Sequence, residues 1–332
     1  MLLEKLCNAK APSAYEGEVR NIIKNEIKDY VDDIKVDRMG NIIAHKKGNG
    51  KKIAVNANMD EIGLIITGYN QDGTLKFAPL GIIDNKALPC RDVTIGKNSI
   101  PGIIGLKPIH LQEKKEREKS YKLSDLCIDI GAKSKEEAKQ NVFIGEYVTF
   151  NTMFEKFGDN LIKGKALCNR IGCSILVELL KDNFDCDFYG IFNVQGEIQA
   201  RGAYASAYNI KPNIGIIIER TICNDMPGVE ENMQAAKLGS GPVIAIMDQT
   251  TIYNADIIEK VKEIAWEKSI PYQIKGSAVG LNGAGSYVMA GSSAKIMTIS
   301  VPCRYVHTSI SVCSIKDYEN TLKLLKEYVY SL

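Results

Sequence analysis

The sequence predicts an α/β protein built on an open sheet, with a small mostly-β domain inserted into it. Three observations carry this reading. Apolar strand-like runs alternate with stretches of helical periodicity up to about residue 65, and the same alternation resumes after residue 164. Between them, residues 66–163 break into short β-like pieces punctuated by Gly and Pro. Polar residues stand just after the apolar runs, which is where an open α/β sheet displays its chemistry. At 332 residues the chain is long enough for about two domains, each able to bury its own core.

In order along the chain, residues 14–30 place Val19, Ile22, Ile23 and Ile27 at helical spacing and predict an amphipathic helix. Strands follow at 41–44 and 53–57 around the turn Lys47-Gly48-Asn49-Gly50, and the second runs straight into Met59-Asp60-Glu61-Ile62-Gly63. Within 66–163 only residues 134–141 read as helix. Beyond 164 the apolar runs predict strands at 188–194, 214–219, 242–248 and 294–301, with helices at 171–181, 255–268 and 316–330.

With 42 Lys and Arg against 40 Asp and Glu, the formal charge is +2. That balance lacks the clustered basic excess a phosphate backbone requires, so nucleic acid is not expected as a partner. The basic run at 114–119 is interleaved with Glu and reads as solvated surface. No apolar run approaches the ~18 residues of a membrane span, and Met1-Leu2-Leu3-Glu4-Lys5 lacks the layout of a signal peptide. No membrane partner is expected, and the reading is a cytoplasmic protein. The nine cysteines have no CxxC spacing and read as free thiols, mostly buried as small hydrophobes. Gly239-Ser240-Gly241-Pro242 is not a phosphate cradle, because no helix opening with GK[ST] follows it; it reads as a turn before a strand.

The strand ends hold the informative residues: Asn58-Met59-Asp60-Glu61, Gln195-Gly196-Glu197, Glu219 and Arg304-Tyr305-Val306-His307, with Cys168-Asn169-Arg170 just before a helix. Together with YEGEVR (15–20), NANMDEIG (56–63), KALCNRIGC (165–173), VQGEIQARGA (194–203), DMPG (225–228), LGSGP (238–242) and PCRYVHTS (302–309), they run in an order and spacing that resembles the M42 aminopeptidases over nearly the whole length. That family includes the self-compartmentalising tetrahedral aminopeptidases and proteins once labelled endoglucanases. The resemblance implies a doubly wound, mixed sheet of the zinc-dependent aminopeptidase type. Residues 1–65 and 164–332 would form the metallopeptidase-like domain and 66–163 an inserted β-rich dimerisation domain, assembled as a homo-oligomer from dimer to dodecamer. It also implies two divalent ions, zinc or cobalt, sharing a water that attacks the peptide carbonyl.

Carried over residue by residue, the family pattern breaks at the site. Asn58 stands where the resemblance implies a His ligand, Cys168 where it implies a bridging Asp, Gly196 where it implies the general-base Glu, and Glu219 where it implies an Asp. Glu197 and His307 match their ligand positions, Asp60 matches the carboxylate that orients the first His, and Ser311 replaces a carboxylate after the RYVHTS run. The family's Thr-Asp step corresponds loosely to Leu281-Asn282. Gly196 can neither accept nor return a proton, a role typically worth ~10²–10⁴-fold in rate. An amide at 58 is a poor zinc ligand, whereas Cys168, Glu197 and His307, with Glu219, retain donors for at most one zinc or cobalt ion per chain. Cys168 also reads as a small buried hydrophobe, or as a nucleophile coupled to His307. Three functional readings stay open. The first is an impaired or inactive M42 homologue with no catalytic residue, retaining fold and assembly with itself or with an active paralogue. The second is an active metal-dependent aminopeptidase with a remodelled site, and the third is a metal-free module that binds a peptide in the old cleft.

Overall fold

The computed structural model describes residues 1–118, 121–276, 280, 282–291 and 293–332. Leu281 of the loosely matched pair lies outside these, as do Lys119 and the Lys115 and Glu116 side chains of the basic run.

Four parallel strands form the centre of the large sheet, in the spatial order Asp187–Asn193, Lys52–Asn58, Ile214–Ile222 and Lys295–Arg304. They are near-continuous apolar runs because both faces are covered. Ala57 and Ile218 face the helix Leu167–Leu180 at Gly172, while their neighbours Asn56 and Ile217 face Tyr287 and Gly283 on the opposite side. A Cβ on Gly172 would meet the Ile218 carbonyl at 3.0 Å, so glycine sets how closely that helix approaches the sheet. The flanks are antiparallel. Ile42–Lys46 and Asp33–Val36 extend one edge, and Ser311–Ser314, Leu161–Gly164 and Glu155–Phe157 the other. The helix Ile315–Tyr330 packs against Leu167–Leu180, and the helices Arg201–Ile210 and Ala284–Met289 pack on each other. The fold is thus the expected mixed α/β sheet with helices on both faces.

The second unit is a closed antiparallel barrel of six strands lying between Gly63 and Phe150. Its interior is a core of its own, including Leu64, Ile66, Val93, Ile95, Ile104, Ile128 and Val148. Glu155–Phe157 and most of Leu161–Gly164 lie within 66–163 but pair into the large sheet instead.

Two readings of local structure need correction. The apolar run 242–248 is a strand only over Val243–Ile244. Asp248 turns the chain away, since its carboxylate accepts from the backbone N–H groups of Thr250 and Thr251. Leu2–Asn8, Arg201–Ile210 and Ala284–Met289 are helices where none was expected; the first spans only 7 residues, too few to show a period, and the Gly, Ser and Tyr content of the other two weakens the periodic signal that tertiary packing supplies. All nine cysteines are unpaired, and all but Cys90 and Cys127 are buried. Among the described residues no helix is long and apolar enough to cross a membrane.

Candidate active site

The parallel strands place their carboxyl ends side by side, and Asn58, Asp60, Glu197, Glu219 and His307 are brought together there, whereas Arg304 is turned to Asp225. Asn58 and Asn193 are register partners at the ends of adjacent strands, so the loop Gln195-Gly196-Glu197 lies over Asn58 and Asp60. Glu219 lies near the end of the next strand, and His307 follows the last one. Cys168 and Asn169 lie in the first turn of the helix Leu167–Leu180. The surrounding loops hold non-glycine residues in the left-handed region: Ala166, Gln195, Gln199, Ala200, Tyr305 and His307. Each such residue costs on the order of 1–3 kcal/mol, and clustered strain of this kind marks functional loops.

Asp60 is the anchor of the Gly196-Glu197 loop. Its two oxygens accept from Gly196 N and Glu197 N, both at 2.9 Å, and Ser13 Oγ donates to it at 2.6 Å. Complete burial, helped by the charge of Glu197, pushes its carboxyl up to about 7 against the pull of Ser13 and the Glu197 amide. Glu61, which borders the same cleft, is held in a buried ion pair with Lys165 at 2.8 Å, with Arg170 at 3.6 Å. Arg170 also donates to the carbonyls of Leu6 and Asp60, tying the first helix to the site.

Gly196 and Asn58 fit each other. A Cβ on Gly196 would lie 2.3 Å from both Cγ and Nδ2 of Asn58. The amide therefore occupies the space a side chain at 196 would leave from. Asn58 Nδ2 donates to Glu219 Oε1 at 3.2 Å.

Cys168, Glu197 and His307 share one small cavity of ≈ 20 Å³, together with Asn169, Arg220 and Ser311. Cys168 Sγ lies 3.0 Å from Ser311 Oγ. A hydrogen bond with Cys303, then burial, raise its thiol well above the usual value, so it stays protonated. His307 Nδ1 is 3.9 Å from Glu197 Oε2. Burial and the charge of Arg220 push the imidazole below its usual value, against Glu197. Burial pushes the Glu219 carboxyl up, with Arg220 pulling it back. Among the described residues no three His, Cys, Asp or Glu side chains are placed to hold a metal ion. The donor set as arranged does not fit one, because its carboxylates are turned to other partners.

The decisive partner is Arg220, which sequence reasoning passed over. Its Nη1 donates to Glu219 Oε2 at 2.7 Å and its Nη2 to Glu197 Oε1 at 3.3 Å. Burial opposes its charge, but Glu197 and Glu219 outweigh burial and hold the guanidinium protonated. Asn169 Nδ2 adds a 2.8 Å bond to the same Glu197 oxygen. The one signal in the sequence is an adjacent acid and base, Glu219-Arg220, closing an otherwise apolar strand. Beyond Arg220 lies a cavity of ≈ 200 Å³ bordered by Lys275, Asn282, Thr298, Ser300 and His307.

A profile of the M42 glutamyl aminopeptidases matches residues 40–324. The lysyl aminopeptidase of Pyrococcus furiosus is 30% identical, over 100% of this chain and 96% of its own. Among solved structures, a TET aminopeptidase from a marine sediment archaeon, a member of the Thaumarchaeota, superposes with a TM-score of 0.96 at 30% identity, covering 100% of this chain and 95% of that one. The TET1 peptidase of Pyrococcus horikoshii, which can assemble into a tetrahedron or a large octahedral shell, superposes with a TM-score of 0.88 at 34% identity, covering 100% of each chain. Fold, strand-end site and these likenesses agree over the full length, and the chain belongs to the M42 peptidase family.

Proposed function

We propose that this protein is an M42-family homologue whose aminopeptidase chemistry is impaired or lost and which acts through its retained fold and self-assembly. The observation that carries the reading is at Gly196. The position the family resemblance gives to the general base has no side chain, and the Asn58 amide fills the space where one would start. Without that base, water activation and protonation of the leaving amine lack a group to perform them. Asp60, which the resemblance makes an orienting carboxylate, instead holds the Gly196-Glu197 backbone.

The inserted unit is the dimerisation element in this reading. Ile82, Ile103, Ile109, Leu111, Phe143 and Ile144 are more than half exposed on it, an apolar surface that a subunit contact would cover. The P. horikoshii relative that assembles into shells supports self-association. Partners are thus further copies of this chain or an active paralogue, with a peptide in the cleft as ligand. Nine unpaired thiols suit a reducing compartment, and we place the protein in the cytoplasm.

A panel of aminoacyl anilides, assayed with and without added zinc or cobalt, tests the reading. The unmodified chain should release chromophore no faster than its Glu197→Gln variant. Robust metal-dependent turnover that Glu197→Gln abolishes would establish the competing reading, an active aminopeptidase using one zinc or cobalt ion at Cys168, Glu197 and His307. Light scattering at micromolar concentration should give at least twice the chain mass of 36.6 kDa, and a 36.6 kDa monomer would count against assembly.

A further inference from the structure

We infer that the Arg220 guanidinium is the resident cation of this site, standing in place of a divalent ion among Cys168, Glu197, Glu219 and His307. The inference concerns the same cleft as the proposed function, but it rests on geometry that holds whether or not any turnover survives. Arg220 extends from the strand end into the space bordered by these side chains, and its own side chain is only 11% exposed. Its two terminal nitrogens go to two different carboxylates, one each on Glu219 and Glu197. A planar fork suits bridging of this kind, which a lysine ammonium could not reproduce.

Most of the remaining donors are already engaged, with only Glu197 Oε2 and His307 Nδ1, 3.9 Å apart, left without a hydrogen bond between them. Glu219 Oε1 accepts from Asn58 while Oε2 accepts from Arg220, so both of its oxygens are bonded. Glu197 Oε1 is shared between Asn169 and Arg220. Cys168 Sγ is turned to Ser311 Oγ at 3.0 Å. An ion entering here would have to displace the guanidinium and strip these bonds.

The charges agree with the geometry. Three acids that the family pattern implies are absent, with Cys168, Gly196 and Ser311 in their places. The two carboxylates that remain in reach, Glu197 and Glu219, face one guanidinium instead of a pair of dications. One positive charge fixed in the chain thus does what bound ions would do for a more acidic shell, and buried carboxylates need such a partner.

The test compares the unmodified protein with Arg220→Met, using zinc chloride as the probe. The unmodified protein, purified without chelator, should carry no stoichiometric zinc by elemental analysis. Its melting temperature should not move with added EDTA or zinc. Arg220→Met should melt lower by roughly 5–10 °C, since an uncompensated buried pair is strongly destabilising, and micromolar zinc should restore part of the loss only in this variant. If Arg220→Met fails to fold, Arg220→Met combined with Glu197→Gln and Glu219→Gln relieves the unpaired charge and should fold, taking up no zinc. Arg220→Lys should fold with an intermediate melting temperature. One zinc per chain in the unmodified protein, or an Arg220→Met variant with unchanged melting and no response to zinc, would overturn the inference. So would a triple variant that melts no higher than Arg220→Met. These readouts are separate from the anilide assay: turnover would sink the proposed function, while tightly held zinc in the native chain would sink this one.

Discussion

Alanine at position 196 should cost the fold far more than alanine in a loop ordinarily does. The new Cβ would lie 2.3 Å from Cγ and Nδ2 of Asn58 and 2.8 Å from its Cβ. Rotating the Asn58 side chain clears the first two atoms but leaves the third, so backbone must also move. That rotation breaks the 3.2 Å bond from Asn58 to the buried Glu219 carboxylate. Overpacking costs about 1–3 kcal/mol, and a lost hydrogen bond to a charged group about 1.5–3 kcal/mol. The sum is about 2.5–6 kcal/mol, or roughly 5–12 °C in melting temperature at about 2 °C per kcal/mol for a chain of this size. The assay is a double-mutant cycle of Gly196→Ala and Asn58→Ala, melted at fixed protein concentration and scan rate. In the Asn58→Ala background only the Cβ contact remains, and Gly196→Ala should cost about 1–2 kcal/mol there. Additive losses, or a Gly196→Ala change below about 2 °C, would show that the two positions are not fitted to each other.

The remaining expectations concern neighbouring pairs. Lys165→Met leaves the Glu61 carboxylate, whose side chain is 1% exposed, with only Arg170 at 3.6 Å and the Ala11 amide, and should destabilise toward the lower end of about 3–5 kcal/mol; adding Glu61→Gln should recover part of it, and no recovery would refute the pairing argument. Burial works against the Asp225 carboxyl, but Arg304, bonded through two nitrogens at 2.8 Å, holds it below its usual value with help from the Leu238 amide. A lowered carboxyl contributes stability above its unfolded value of about 3.9, and that stability disappears as pH falls through the folded one. Arg304→Met should therefore flatten the acid limb of melting temperature against pH below about 4, and an unchanged limb would refute it. Finally, Asn58→His, Cys168→Asp, Gly196→Glu and Glu219→Asp together rebuild the family shell but leave Arg220 in it. Zinc uptake should appear only when Arg220→Met is added, and two ions bound by the fourfold variant alone would contradict this.

How much of the molecule could be read beforehand varies with the physics of each part. The central strands were legible as apolar runs because both faces of Lys52–Asn58 and Ile214–Ile222 are covered. The strand-end residues of the site followed from them, since side chains beyond parallel strands meet at one edge. The helix Arg201–Ile210 was not legible. Its sequence RGAYASAYNI has modest intrinsic preference, and its place depends on packing against Ala284–Met289. The run 242–248 misled for the opposite reason: its apolar content was right, but Asp248 closed a local turn that competes with the ladder.

The sequence by itself determined the α/β class, the inserted β-rich segment, the family and the lack of a side chain at Gly196, because these depend on residue type and order alone. Which groups face one another was decided only by the tertiary structure. Asn58 and Gly196 are 138 positions apart, and their fit exists because two parallel strands end side by side. Arg220 looks in the sequence like a charge at a strand terminus, free to turn to solvent. Burial removes that freedom, and the nearest compensation for its charge is the pair of carboxylates that adjacent strands and loops deliver to it. Burial and proximity of this kind arise only when the sheet is assembled, so the cation at the heart of the site became visible there.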